Sequence, residues 1–388
     1  MFIRTTWVKI SLVVVFGVVV ALGGSQLWYH RHYKTPVVLG PGVVRVGKLS
    51  EYCPSLCGTA ADSLVFYLEG REKGGVALLL GGSHPNEPAG VLASLVYIEN
   101  ARVERGTLIV IPFLNRSASC YTRPGDGYPL FFSIVAPWGE RTFRMGNREA
   151  SPLDQWPDPD IYVHYPERQL LSFIDARNIN RAWPGRPNGL LMERVTFAVM
   201  ELIRQEKVNV VIDFHEAETL YPVTNCIVAP DKSARLATLT ALWVKPKEGF
   251  DCHVEPSPVN FRGLSHREIG DYSDALPFLL EAPIPFLDQP TGPKTEDLLL
   301  YGRDPFLLKL AKRGRLFVPY DETGWSMDRR VGQHMSVSLE IFNQFSKAFP
   351  DKTISITNVP KYTDVIKYGL GTYFANLKNV PIDRIVYQ

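Results

Sequence analysis

The sequence predicts an α/β fold: a mixed, largely parallel central sheet with helices on both faces, preceded by an N-terminal transmembrane helix. Three observations carry this. Apolar runs alternate with amphipathic stretches along most of the chain, the pattern of strands connected by helices. Several runs, such as VALLLG at 76–81, are apolar at nearly every position, so their sheet is covered on both faces. Finally, Ile10 to Tyr29 carries no charge and is close to the length of a bilayer-spanning helix.

At the N-terminus, Arg4 and Lys9 precede the apolar run, while Trp28, Tyr29, Arg31, Tyr33 and Lys34 follow it as an interfacial belt. A cleaved signal peptide is the rival reading, because the apolar centre Leu12 to Leu22 is short and Ala21-Leu22-Gly23 suits a cleavage site. Either route exports the body: anchored outside the cytoplasm on an uncleaved helix, or secreted after cleavage. Residues 1–34 are thus the anchor or signal, and residues 35–42 read as a short linker. The main unit runs over 35–347, and 348–388 reads as a strand-and-helix extension packed on it. Strands are expected at 63–69, 76–81, 107–113, 207–213 and 276–280, and helices at 87–101, 190–206, 232–245, 295–312 and 330–347. Between 116 and 189 the periodicity gives way to segments such as TRPGDGYP, SPLDQWPDPD and RAWPGRPNG. Their Trp, Tyr and Arg content argues for ordered loops around a site rather than disorder.

A formal charge of +2 arises from 42 basic and 40 acidic residues spread along the chain. No nucleic-acid footprint is present, so partners are small or specific molecules. Of the five cysteines, only Cys53 and Cys57 are close. A local disulfide there suits an oxidising compartment, whereas a zinc knuckle lacks a second cysteine pair.

Chemistry gathers where the expected strands end, the place where open α/β sheets bind ligands. The 76–81 run leads into His84 and Glu87, with Pro88 suited to start a helix. The 207–213 run leads into His215, and the 276–280 run into Glu281. A catalytic zinc uses three His or carboxylate ligands and an open fourth position; His84, Glu87 and His215 meet that count for one Zn2+ ion. In the bland alternative His84 packs the turn and Glu87 is a first-turn carboxylate favoured by the helix dipole. His215-Glu216-Ala217-Glu218 repeats the H-x-x-E spacing, but Thr219 stands where a zinc-helix motif needs its second histidine. A second metal held through Glu218 would lack a bridging carboxylate cluster.

The set GGSHPNEPAG, PFLNRSA, NINRAWPG, VIDFHEA and FLLEAP, in this order, resembles the succinylglutamate desuccinylase/aspartoacylase family. This is the deacylase branch of the zinc carboxypeptidase superfamily, and the resemblance covers about residues 65 to 300. It implies a zinc carboxypeptidase-like fold in which His84, Glu87 and His215 bind zinc. It further implies that Asn180 and Arg181 hold a substrate carboxylate and that Glu281 is the general base and then the general acid. Two positions depart from the pattern. Family members commonly carry an aspartate where this chain has Asn178, which can still accept from His84 but without the charge that strengthens a ligand. The oxyanion-stabilising arginine is open among Arg116, Arg148, Arg168 and Arg177, with Arg148 favoured.

The resulting expectation is a zinc-dependent hydrolase that cleaves an amide in a carboxylate-bearing N-acyl amino acid or similar small substrate. A carboxypeptidase acting on extracytoplasmic peptides, including those of a cell wall, is the alternative; a non-catalytic binding protein is the third. Among the remaining polar features, 263–274 is read as a loop that either walls the substrate or braces itself. His164 is read as a packed loop histidine, and His30 and His32 as membrane-interface residues.

Overall fold

The apolar runs form the centre of a nine-stranded mixed sheet. A computed structural model describes residues 2–122 and 128–388, with residues 2–4 as backbone alone. Most of TRPGDGYP therefore lies outside the described residues. The strands of this sheet are β1 (Val43–Lys48), β2 (Leu64–Glu69), β3 (Glu72–Leu80), β4 (Arg102–Ile111), β5 (Val210–Glu218), β6 (Cys226–Ala229), β7 (His253–Pro256), β8 (Leu276–Ile284) and β9 (Ser355–Thr357). Their order is β7-β6-β8-β5-β3-β4-β2-β1, with β9 beside β4. The central strands β8, β5, β3 and β4 are mutually parallel, while β6, β2, β1 and β9 join the flanks antiparallel. β1 and β7 are half-exposed and β6 spans only 4 residues, so none of them carries a strong periodic signal.

The main helices are α1 (Phe2–His32), α2 (Pro88–Asn100), α3 (Leu191–Gln205), α4 (Asp231–Glu248), α5 (Ser265–Tyr272) and α6 (Met327–Ala348). Successive strand residues point to opposite faces, and here both faces are covered. Leu78, Leu80, Ile109 and Ile111 pack with Val195, Val199 and Leu202 of α3. Ala77, Leu79, Leu108 and Val110 pack with Leu92 and Leu95 of α2 and Val331 and Met335 of α6.

Four of these readings change. The helix expected over 295–312 is two short ones, Glu296–Tyr301 and Pro305–Ala311, because Gly302 is left-handed at φ 62°. Asp304 then caps the second helix, accepting from the Phe306 and Leu307 amides at 2.8 Å. The linker is not free: Pro36–Val38 pairs with Ile385–Tyr387 near the C-terminus and is buried. The segment 263–274 is largely helix α5 rather than loop. Cys53 and Cys57 are free thiols, with the turn Pro54–Leu56 leaving Cys53 buried and Cys57 exposed.

α1 is long and apolar enough to cross a membrane, and its described side chains are exposed until His30, which is buried. One buried ion pair ties four elements together. Arg330 of α6, fully buried, donates to Glu216 Oε1 of β5 at 2.7 Å and also to the Leu299 carbonyl. Glu216 Oε2 accepts from the Ala89 amide at 2.7 Å, capping the first turn of α2. Arg330→Met preserves side-chain bulk but leaves the Glu216 carboxylate buried and unpaired. It is expected to lower stability by about 3–5 kcal/mol, read by chemical denaturation of the full chain in detergent. Adding Glu216→Gln to that variant is expected to restore part of the loss, because the uncompensated charge is then gone.

Candidate metal centre

β3 ends at Leu80, and the chain turns through Gly82, whose φ of 64° suits glycine. A side chain at Gly81 would lie 2.3 Å from Ser94 Oγ of α2, so the turn sits tight on that helix. The Glu87 amide bonds the His84 carbonyl at 2.9 Å, closing the HPNE turn, and Pro88 opens α2. His84 and Glu87 are thereby held side by side.

The third group comes from β5. This strand extends through Glu218, beyond its pairing with β3, which stops at Asp213 opposite Leu80. His215 therefore projects past the edge of β3 from within a strand, not from a loop after it. Glu281 is likewise inside β8, directly opposite His215 in the parallel register.

His84, Glu87 and His215 are all buried, with one ligand atom from each lying within 4.8 Å of the others. The Glu87 carboxylate bridges the two rings: Oε1 is 2.8 Å from His84 Nδ1, and Oε2 is 2.9 Å from His215 Nδ1. The Glu216 amide donates to Oε2 at 3.0 Å. The opposite nitrogens are also engaged. His84 Nε2 lies 2.9 Å from Asn178 Oδ1, and His215 Nε2 lies 3.1 Å from Asp213 Oδ2. Ser83 and Ser265 each donate to Asp213 at 2.6 Å. This donor set fits a zinc ion. Both imidazoles present Nδ1 inward and place Nε2 against an acceptor, the arrangement that fixes the tautomer of a ligating histidine. Among the described residues it is the one such group found, and Glu218 belongs to no second one.

The electrostatics follow from burial and these neighbours. Burial raises the Glu87 pKa, but His84 and His215 outweigh it and hold the group well below the usual carboxylate range. Burial lowers His215, yet Asp213 and Glu87 hold it well above an ordinary imidazole. His84 is lowered, chiefly by burial. Glu281 goes the other way from Glu87: burial, reinforced by Glu87 and Glu218, pushes it well above the usual range against the pull of His215 and Arg148. Its Oε2 is buried without a hydrogen bond.

Of the four arginines considered for the oxyanion, one reaches this group. Arg148 Nη2 is 3.5 Å from Glu87 Oε1 and 4.0 Å from Glu218, and Nη1 is 3.7 Å from Asp288. Arg116 donates to the Ala60 carbonyl, Arg177 pairs with Asp158 at 3.0 Å, and Arg168 occupies a turn at φ 59°. Asn180 is buried, with Oδ1 accepting from the Ser265 amide at 2.8 Å. Arg181 lies 3.7 Å from Asp175 and stacks over Phe261 at 4.5 Å. Burial lowers its pKa, with Arg148 adding to the effect.

The segment 263–274 braces itself: Arg262 pairs with Glu268 at 2.7 Å, Arg267 with Asp271 at 2.7 Å, and His266 with Ser257 at 2.8 Å. His164 is a packed histidine, its Nε2 2.6 Å from the Trp183 carbonyl. Asp213 was not singled out from the sequence, although a signal existed. Strand residues two apart share a face, so an acid two before a ligand histidine is placed to orient it.

No protein-family model and no curated protein matches the sequence. Among solved structures the chain is similar to a succinylglutamate desuccinylase from Silicibacter sp. TM1040, at 17% identity over 64% of this chain and 62% of that one, with a TM-score of 0.37. It is also similar to the cell shape determinant protein Csd4 from Helicobacter pylori, at 12% identity over 79% and 58%, TM-score 0.46. A third is a succinylglutamate desuccinylase/aspartoacylase from Rhodobacter sphaeroides, at 18% identity over 57% and 51%, TM-score 0.35. Each match thus spans less than two thirds of the other protein.

Proposed function

We propose that the chain is a zinc-dependent amidohydrolase, removing the acyl group from a carboxylate-bearing N-acyl amino acid or similar small substrate outside the membrane that α1 crosses. The observation that carries this is the buried His84–Glu87–His215 group with Glu281 opposite His215 on the adjoining strand. The ordered motif set from GGSHPNEPAG to FLLEAP supports the same reading. His84 Nδ1, Glu87 and His215 Nδ1 would hold the ion. When bound, zinc supplies a Lewis acid that polarises a carbonyl and lowers the pKa of water.

The remaining steps fall to the chain's own groups. Glu281, with an oxygen free of protein partners, accepts a proton from the attacking water and returns it to the leaving nitrogen. A carboxyl pushed upward in pKa is suited to both halves of that transfer. Arg148 supplies positive charge beside Glu87, where charge develops on the carbonyl oxygen. Arg181 grips the substrate carboxylate through paired N–H donors; Asp175 and Phe261 restrain it. With its side-chain oxygen committed to Ser265, Asn180 offers its amide nitrogen as a further donor.

Two measurements test this. The purified full chain is expected to bind one zinc ion, as read by metal analysis. In competition with a chromophoric chelator, Asp213→Asn should weaken binding by about 10–100-fold, the usual loss for an outer partner, while Asn178→Asp should tighten it. A metal-free protein would remove the zinc assignment. Glu281→Gln is expected to keep the metal and lose about 100-fold or more in kcat, assayed on N-acyl amino acids and short peptides side by side. Turnover of peptides alone would move the assignment to a carboxypeptidase. Binding of either class without turnover by the unaltered chain would make it a binding protein.

A further inference from the structure

The C-terminal end of α1 is built into the domain. His30 is buried, with Nε2 2.6 Å from the Met145 carbonyl. Arg144 Nη1 donates to the carbonyls of His30 at 3.0 Å and Tyr33 at 2.7 Å. Arg31 Nη2 donates to Asp154 at 2.7 Å, and Nη1 to Ser151 at 3.3 Å. Tyr29 and Tyr33 pack on Phe131, with ring centroids 5.5 and 5.1 Å apart. These partners lie on several sides of the last turn and tie it to the domain.

This docking sets the height of the loop that follows Ser151. Arg31 is three residues beyond Trp28, or about 4.5 Å along the helix axis. The headgroup layer on each side of a bilayer is about 5–7 Å thick, so with α1 across a bilayer Asp154 would sit at the level where the apolar run gives way to headgroups. The loop is inside out for a water-facing one. Between Leu153 and Trp156 the two polar side chains turn inward, Asp154 to Arg31 and to Ser117 at 2.6 Å, and Gln155 to the Ala176 carbonyl at 2.8 Å and the Met192 amide at 3.1 Å, whereas Asp160 further along is exposed. Its large apolar side chains turn outward, Leu153 at 77% and Trp156 at 76% exposure. Tryptophan beside an aliphatic residue at this depth is the chemistry of the membrane interface.

We infer that Leu153 and Trp156 rest in the interfacial layer of the bilayer that α1 crosses, so the domain lies against the membrane instead of hanging from it. This depends on reading α1 as a membrane span. The consequence reaches the candidate site, because the same segment lines it. The Gly146 amide bonds the Pro85 carbonyl at 3.3 Å, Arg148 reaches Glu87, and Glu149 forms a bridge with Asn178. Arg148 is six residues from Asp154, at most about 20 Å of extended chain.

The full chain, reconstituted in phospholipid vesicles that contain a lipid with a photoactivatable diazirine on its acyl chain, tests this by mass spectrometry of the adducts. Adducts are expected along α1 and at Leu153 or Trp156, at a yield comparable with that at Trp28, and the double variant Leu153→Ser/Trp156→Ser should lose only the loop adducts. A water-soluble diazirine serves as the exposure control: it should label the loop in detergent and be excluded from it in vesicles. Adducts on α1 without any on 153–156, or undiminished soluble labelling of the loop in vesicles, would overturn the inference while leaving α1 as a span. Absence of adducts on α1 would overturn the reading of α1 and this inference with it.

Discussion

The Glu87 carboxylate, buried between two imidazoles, is the interaction on which the rest of the site depends. A buried carboxylate persists only where opposite charge and donors compensate its lost hydration. Here the partners come from separate places: His84 from its own turn, His215 and the Glu216 amide from β5, and Arg148 from the segment after the 131–144 hairpin. The carboxylate therefore reports whether α2, β5 and that segment are all in place. The same demand explains the fully buried Arg330, which neutralises Glu216 immediately behind the site. Glu87 helps raise the pKa of the adjacent buried Glu216, against the pull of Arg330, while His84 and His215 hold Glu87 down.

The two histidines are oriented by unlike partners. His215 has a charged acceptor, Asp213, itself fixed by Ser83 and Ser265. His84 has a neutral one, Asn178, whose Oδ1 also accepts from the Asn180 amide at 3.0 Å. A carboxylate behind a ligand histidine strengthens it more than an amide does. Replacing the aspartate common in the resembled family by asparagine therefore removes one negative charge from an enclosure that already holds Glu87, Asp213, Glu216, Glu218 and Glu281. The orientation of the ring survives because it needs only an acceptor; the charge is what differs.

Much of this was legible in the sequence because the information was local. The alternation of continuous apolar runs with amphipathic stretches located the central parallel strands and their covering helices, since burial on both faces leaves its mark at every position. The HPNEP turn, His215 and Glu281 stood out because residues of that chemistry followed such runs directly. What was not legible depends on contacts distant in sequence. Nothing near residue 36 indicates a strand partner at 385–387, and nothing near Arg330 indicates a buried glutamate 114 positions earlier. The ends expected at 213 and 280 also fall short of the strands. β5 and β8 run on through His215 and Glu281 because each continues to pair with the other after β3 has stopped, a property of the pair and not of either segment.

That continued pairing gives the site its rigidity. A histidine on a loop after β5 would be free to turn away; within the strand, its backbone is fixed by β8, and Glu281 is fixed opposite it by the same ladder. The distance between the group expected to hold metal and the group expected to move protons is thus set by backbone hydrogen bonds. Arg148 has no such support from the sheet. Its position depends on a segment braced at Gly146 against Pro85, at Glu149 against Asn178, and at Met145 and Asp154 against the end of α1. Glu281 belongs to the sheet, while the cation beside Glu87 belongs to the part of the chain that answers to α1. Disturbing that helix should therefore affect the site through Arg148 before it affects Glu281 or the histidines.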